Sequence, residues 1–178
     1  MNKESKRTLN LFLRYLLLVL IALPGLDIFY VIFLPLTKYP VYWFLQIFFN
    51  PVMVGNTLIV GSKFIEIVGA CVAGSAYYLL LVLNLGTPDI KTPLRIKMIL
   101  LSFLGFLLVN IIRIIFLSVI YLNNSPAFDF LHKVFWYFGS TILIVFIWFL
   151  EVKIFDIKGI PFYSDLKRLY QSSSLKKR

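Results

Sequence analysis

The feature that most constrains this chain is a charged side chain inside a long apolar stretch. Residues 99–120 contain few polar side chains, and Arg113 lies about two helical turns before the end of that stretch. A run of this length can cross a bilayer as a helix. A guanidinium within it costs about 2.5–3.5 kcal/mol on insertion scales, so it usually faces a protein interior or a water-filled cavity. Arg113 therefore marks a candidate functional site inside a membrane span.

Composition points to the same class of protein. Of the 178 residues, 60% are hydrophobic and only 15% are charged, which predicts one integral-membrane domain over residues 1–178. The formal net charge of +10 raises the question of nucleic-acid binding. However, the basic residues fall in an N-terminal leader, one short loop and a C-terminal tail, and the sorting of positive charge to the cytoplasm explains that distribution. We therefore expect no nucleic-acid partner.

The apolar segments predict an all-α multi-pass membrane protein with about four transmembrane helices. The expected spans cover residues 9–34, 69–85, 99–121 and 130–151. The pair Pro24-Gly25 should kink or break the first span. The basic leader, the loop 86–97 and the basic tail 152–178 place both termini in the cytoplasm, and residues 122–129 form an external loop. We expect a protein of the plasma membrane.

Two further segments differ from these spans. Residues 37–51 are rich in aromatic side chains between prolines, which favours an interfacial or re-entrant segment. Residues 52–68 are rich in β-branched side chains and contain two turn signals, Gly55-Asn56 and Gly61-Ser62. This pattern predicts a small extracytoplasmic β-hairpin.

This topology brings three reactive side chains to the external leaflet. Cys71 and His132 lie near the starts of two inward-running helices, and Arg113 lies near the external end of the helix between them. A helix N-terminus and a nearby guanidinium both favour the thiolate, which is the nucleophilic form of cysteine. A histidine within reach can shuttle a proton, and Arg113 can alternatively stabilise a tetrahedral oxyanion. The three residues are candidates for a catalytic site without metal or cofactor.

Each of these residues also has a structural interpretation. A lone cysteine in a membrane helix is most often a small apolar side chain, and a histidine beside an aqueous interface is unremarkable. Arg113 can form a structural pair with Asp27 or Glu66. The single cysteine excludes an internal disulfide and a multi-cysteine metal site.

Three further residues are candidates for supporting roles. Asn110 stands one turn before Arg113 on the same helix face, where it can orient the guanidinium. Gly74 and Ser75 share a predicted face with Cys71, where small side chains can also serve only as a close-packing seam.

Three features occur in a fixed order along residues 52–151. They are Ala70-Cys71 after the β-rich segment, Asn110-Ile111-Ile112-Arg113-Ile114 within a span, and His132 at the start of the last span. This order resembles the exosortase/archaeosortase family of membrane-embedded cysteine transpeptidases. The chain differs from the common pattern because Val72 and Ala73 precede the glycine after the cysteine, and because it is shorter. It is therefore similar to a compact, divergent, archaeal-type member.

The resemblance implies a catalytic triad of Cys71, Arg113 and His132. It also implies cleavage of the C-terminal sorting signal of secreted proteins through a thioester, followed by transfer to an acceptor, for which a membrane lipid is one candidate. The substrates would end in a short motif, a hydrophobic helix and a basic cluster. Two alternatives stay open: a transporter subunit or assembly factor that binds anions or lipid head groups through Arg113, and an acyltransferase that uses His132 as base without a thioester.

Overall fold

The computed structural model describes residues 3–172 and is mostly helical. Four helices are long and apolar enough to cross a membrane, which agrees with the predicted number. They cover Asp27–Phe49, Gly69–Gly86, Thr92–Leu122 and Phe128–Ile154. Residues 173–178, the end of the predicted basic tail, lie outside the described residues.

The elements follow one another with short connections. In chain order they are α1 (Lys3–Ala22), α2 (Asp27–Phe49), β1 (Val52–Val54), β2 (Thr57–Val60), β3 (Lys63–Glu66), α3 (Gly69–Val72), α4 (Gly74–Gly86), α5 (Thr92–Leu122), α6 (Phe128–Val134), a π-helical turn (Phe135–Gly139), α7 (Ser140–Ile154) and α8 (Tyr163–Ser172).

The N-terminal third differs from the prediction of one span over residues 9–34 followed by an interfacial segment. The chain does break at Pro24-Gly25, where Gly25 and Leu26 adopt positive φ angles of 75° and 70°. The helix after the break then continues without interruption to Phe49. The predicted start and end of the first span are therefore both wrong. The aromatic stretch belongs to α2, the first of the four long apolar helices.

Helix α2 contains two prolines that local sequence rules treat as breakers, Pro35 and Pro40. It persists because packing outweighs the lost backbone hydrogen bonds. Val41 and Leu45 are fully buried against the small sheet and α5. Proline is tolerated in apolar helices of this kind when neighbouring elements support them.

The predicted β-hairpin is a three-stranded antiparallel sheet in the order β1-β2-β3. Both turn signals lie where the chain turns, since Gly55-Asn56 joins β1 to β2 and Gly61-Ser62 joins β2 to β3. The hairpin prediction has the right residues, 52–68, but one strand too few, because the three residues of β1 are too few to show a period of two.

Two lysines attach the sheet to the helices. The Lys38 ammonium of α2 donates to the carbonyl of Gly55 and the side chain of Asn56 at 3.1 and 3.0 Å. The Lys63 ammonium donates to the carbonyls of Tyr121 and Leu122 at 2.9 and 2.8 Å. These carbonyls lie in the last turn of α5, where a cation is favoured by the helix dipole. The sheet is thereby held beside one end of the helices.

The core surrounds α4, which contacts α1, α2, α5 and α7. Tyr77 lies at its centre, fully buried, with its ring stacked on Phe33 at a centroid distance of 3.7 Å. Phe103 and Phe106 of α5 meet the same ring edge-on. This aromatic cluster fixes α2, α4 and α5 relative to one another.

The predicted helix over residues 69–85 is broken close to its start. Ala73 adopts a left-handed conformation with φ of 57°, which separates the four-residue α3 from α4. The break lies against the ring of Tyr30, and a Cβ atom at Gly74 would come within 2.9 Å of that ring. Cys71 therefore belongs to a single helical turn and not to the N-terminus of a long helix, so the expected dipole contribution of a long helix is absent.

The far end of the bundle is held by two buried arginines. The guanidinium of Arg14 pairs with Asp165 of α8 at 2.9 Å and also donates to the carbonyls of Leu85 and Thr87. Arg95 donates to the carbonyl of Thr87 at 2.9 Å. These bonds tie α1 and α8 to the loop between α4 and α5.

Candidate functional site

A cavity of about 800 Å³ opens beside the break at Ala73. Its volume lies in the range of small-molecule and cofactor sites. Most of its lining is apolar or aromatic, supplied by β3, α3, α4, α5 and the segment from α6 to α7. The side chains of Cys71, Arg113 and His132 all line it, so that the structure brings the three predicted residues to one site.

The main-chain carbonyl of Cys71 is the centre of the hydrogen bonding at this site. Because the helix breaks at Ala73, this carbonyl has no donor from a following helical turn. Two side chains of α5 supply donors instead: the amide of Asn110 at 2.9 Å and the guanidinium of Arg113 at 3.4 Å. Asn110 and Arg113 are three residues apart and so lie on the same face of α5, where both side chains can reach the same acceptor.

Arg113 also contacts the next helix. Its Nη1 atom donates to the hydroxyl of Ser140 at 2.9 Å, whereas its buried Nε atom has no hydrogen-bond partner in the described part of the chain. Within residues 3–172 no ion pair joins Arg113 to Asp27 or Glu66, the structural partners considered from sequence. The guanidinium is thus held by neutral groups and retains donors for a ligand.

The Cys71 thiol is partly buried and free of disulfide bonding. Its Sγ atom lies 4.0 Å from the main-chain carbonyl of Glu66, at the end of β3. The thiol therefore sits where the sheet, the short helix α3 and the cavity meet.

His132 lies on the opposite wall, in α6. Its ring is exposed and packs against Phe128 and Trp136, with centroid distances of 5.3 and 6.0 Å. Among residues 3–172 its imidazole has no hydrogen bond to Cys71 or Arg113, so a bridging substrate or water would have to connect them. Apo active sites commonly show such open arrangements.

The π-helical turn Phe135–Gly139 determines how the side chains of His132 and Ser140 are placed along this wall. An α-helix rotates by about 100° per residue, which would leave His132 and Ser140 about 80° apart. A π turn closes with i to i+5 hydrogen bonds and rotates less per residue. The turn therefore brings His132 and Ser140 towards one line on the helix, and both line the cavity.

The structure places the three supporting residues in different surroundings. Asn110 holds the main chain of Cys71, and no hydrogen bond joins it to Arg113 among the described residues. Gly74 is buried against Tyr30, as the packing interpretation expects, while Ser75 is exposed and lines the cavity. Because of the break at Ala73, Gly74 and Ser75 do not continue the helix that carries Cys71.

Sequence reasoning missed Ser140 and the carbonyl of Glu66. No local signal identifies Ser140, because its contact with Arg113 depends on a π turn that follows from packing. Within the described part of the chain, no group of three His, Cys, Asp or Glu side chains is placed to hold a metal ion.

No family model matches this chain, and neither a functionally described protein nor a solved structure shows significant similarity to it. The site itself and the three motifs that resemble a known family are therefore the basis for the function proposed below.

Proposed function

We propose that this chain is a membrane-embedded cysteine transpeptidase of the exosortase/archaeosortase type. The observation that carries the proposal is the meeting of a thiol, a guanidinium and an imidazole around one cavity beside apolar helices. These groups supply a nucleophile, an oxyanion stabiliser and a proton shuttle.

In the first step the Sγ atom of Cys71 attacks the carbonyl carbon of the scissile peptide. A carbon–sulfur bond forms, and Arg113 stabilises the negative charge on the former carbonyl oxygen. His132 accepts the thiol proton and delivers it to the leaving nitrogen as the carbon–nitrogen bond breaks. The product is a thioester on Cys71 and a free amine on the released tail.

In the second step an acceptor amine or hydroxyl attacks the thioester carbon. His132 takes the proton of the acceptor, the carbon–sulfur bond breaks, and the proton returns to the thiol. Water as acceptor would give hydrolysis, whereas a membrane lipid as acceptor would give an anchored product.

The hydrogen bonds to the Cys71 carbonyl support this chemistry because they fix the main chain that carries the nucleophile. An error of about 1 Å in such a position can lower a rate by about 10²-fold. Asn110 and Arg113 are therefore positioning residues in addition to any contact that Arg113 makes with substrate.

The proposed substrates are secreted proteins that end in a short motif, a hydrophobic helix and a basic cluster. The hydrophobic helix would lie beside the apolar helices of the enzyme, and the basic cluster would stay in the cytoplasm. The proposed location is the plasma membrane, with the site on the extracytoplasmic side and both termini in the cytoplasm.

The test is a search for the covalent intermediate. A secreted reporter with such a tail, taken from a protein encoded beside this chain, is co-expressed with the enzyme. We expect a hydroxylamine-sensitive adduct on the wild type, none on Cys71→Ala, and accumulation or slow formation on His132→Ala. Asn123→Ala, at an exposed residue outside the cavity lining, is the control and should form the adduct normally. Processing that survives Cys71→Ala would refute the proposal, and processing that survives Cys71→Ser would favour an acyltransferase without a thioester.

A second candidate function is non-catalytic binding of an anion or a lipid head group. The observation that favours it is the buried Nε atom of Arg113, which has no partner within residues 3–172. In that case Arg113→Ala abolishes function while Cys71→Ala leaves it nearly unchanged, whereas both substitutions abolish the function of a transpeptidase.

A further inference from the structure

We propose that the free edge of β3 binds the substrate as an additional β-strand and thereby presents the scissile peptide to Cys71. This inference rests on the proposed function and names the form in which the substrate is recognised: an extended polypeptide read through its main chain.

The register of the sheet determines which groups of β3 are free. In an antiparallel pair, residues that exchange hydrogen bonds alternate with residues that do not. The N–H group of Ile67 donates to the carbonyl of Asn56 at 2.9 Å, and Leu58 is paired with Ile65 two residues further along. The bonded positions of β3 are therefore Ile65 and, beside the two-residue turn, Lys63.

The remaining positions of β3 direct their main-chain groups away from β2. These are Phe64 and Glu66, opposite Ile59 and Thr57. The same alternation holds in β2. The main-chain N–H and carbonyl groups of Thr57 and Ile59 point away from β3 and pair with β1. Since the strand order is β1-β2-β3, no strand in the described part of the chain covers this edge.

The free edge opens on the proposed catalytic cavity. Phe64, Ile65 and Glu66 all line the cavity, and the Cys71 thiol donates to the outward carbonyl of Glu66 at 4.0 Å. Apart from that thiol, the described residues offer no partner to the outward groups of Phe64 and Glu66. An incoming strand would satisfy these groups and would pass directly beside the Sγ atom.

Backbone recognition predicts a specific pattern in the ligand. In a bound strand only every second residue directs its N–H and carbonyl groups towards β3. Blocking the amides of one edge should leave binding intact, because the other edge can pair, whereas blocking both edges should abolish it.

The probe is the peptide Thr-Val-Thr-Val-Thr-Val-amide with fluorescein on its N-terminal amine, and its binding to detergent-solubilised Cys71→Ser is measured by fluorescence anisotropy. Two derivatives carry three N-methyl groups each. In the alternate derivative they are on every second residue and block one edge, and in the consecutive derivative they are on three adjacent residues and affect both edges. We expect the alternate derivative to bind like the parent and the consecutive derivative to bind at least about tenfold more weakly. Equal binding of the two derivatives, or no binding of the parent, would overturn the proposal.

A matched pair of variants tests the protein side. Phe64→Pro removes an outward N–H group, and Phe64→Ala removes the side chain but keeps that group. We expect Phe64→Pro to weaken binding of the parent peptide at least about tenfold and Phe64→Ala to weaken it much less. Equal loss in both variants would show that the peptide contacts the phenyl ring and not the strand edge.

The peptide-binding measurement does not depend on thioester formation, because the Cys71→Ser variant has no thiol. Peptide binding without a thioester on the wild type would refute the transpeptidase proposal and retain the strand edge. A thioester on the wild type without edge-selective peptide binding would refute the strand-edge proposal and retain the transpeptidase proposal.

Discussion

The side-chain amide of Asn110 donates a hydrogen bond of 2.9 Å to the main-chain carbonyl of Cys71, a residue 39 positions earlier in the chain. Asn110 is almost fully buried, and its side-chain oxygen Oδ1 has no hydrogen-bond partner among residues 3–172. The bond joins the long helix α5 to the single turn α3 and replaces the helical bond that the break at Ala73 removes.

Replacing Asn110 by alanine should therefore disturb both stability and activity. We expect the free energy of unfolding to fall by about 1–3 kcal/mol and substrate processing to fall about tenfold, because the Cys71 carbonyl loses its shorter donor. Thermal unfolding in detergent and the reporter assay measure the two effects. The control is Asn123→Ala, whose exposed amide bonds only to its own helix at Val119. Equal behaviour of the two variants would contradict the assigned role.

The substitution Arg113→Lys tests the guanidinium as a planar donor. An ammonium can replace the charge but cannot bond to Ser140 and the Cys71 carbonyl with the same fork. We expect processing to fall by about 10²-fold or more. Arg7→Lys, at an exposed arginine near the far end of the bundle, should have no effect. Near-normal processing by Arg113→Lys would mean that charge alone is sufficient.

Ser140 should act by orienting Arg113. Removing its hydroxyl in Ser140→Ala should lower processing about tenfold, and Ser140→Thr should restore most of it because a hydroxyl returns. Thr141→Ala removes a neighbouring hydroxyl from the same cavity and is the matched control. If Ser140→Thr were as impaired as Ser140→Ala, the hydroxyl would not be the relevant group.

Membrane topology can be tested by labelling single cysteines on a Cys71→Ala background. The basic residues near Lys91 predict a cytoplasmic loop there, and the loop around Ser125 should then lie outside. A membrane-impermeant maleimide applied to intact cells should label Ser125→Cys and not Lys91→Cys. Permeabilised cells, in which both should react, provide the control. Labelling only of Lys91→Cys would place the proposed site on the cytoplasmic side.

The sequence was sufficient for those features that depend on long-range patterns. Apolar length gave the number of membrane-length helices, and helix direction brought Cys71, Arg113 and His132 to one end of the bundle. Turn signals located both bends of the sheet, because Gly55 and Gly61 adopt positive φ angles there, which glycine tolerates without steric cost.

Features that depend on packing could not be predicted. Ala73 is a strong helix former, yet it lies at a break where Tyr30 packs against Gly74. Pro35 and Pro40 favour a break, yet α2 continues because Val41 and Leu45 are buried. The contact between Arg113 and Ser140 needs a π turn that has no sequence signature. In each case tertiary contacts outweigh a local preference of about 1–3 kcal/mol.

In the proposed membrane location, the break at Ala73 would also make the position of the Cys71 thiol sensitive to the surrounding lipid. Helix α5 has 31 residues and is about 46 Å long, whereas bilayer hydrocarbon is about 30 Å thick. Such a helix adjusts its tilt when membrane thickness changes. Since the Cys71 carbonyl is held by two side chains of α5 and not by a helix of its own, such a change of tilt would move the Cys71 thiol relative to the wall that carries His132. Bilayers of different acyl-chain length should therefore alter the rate of the reaction without any change in the protein.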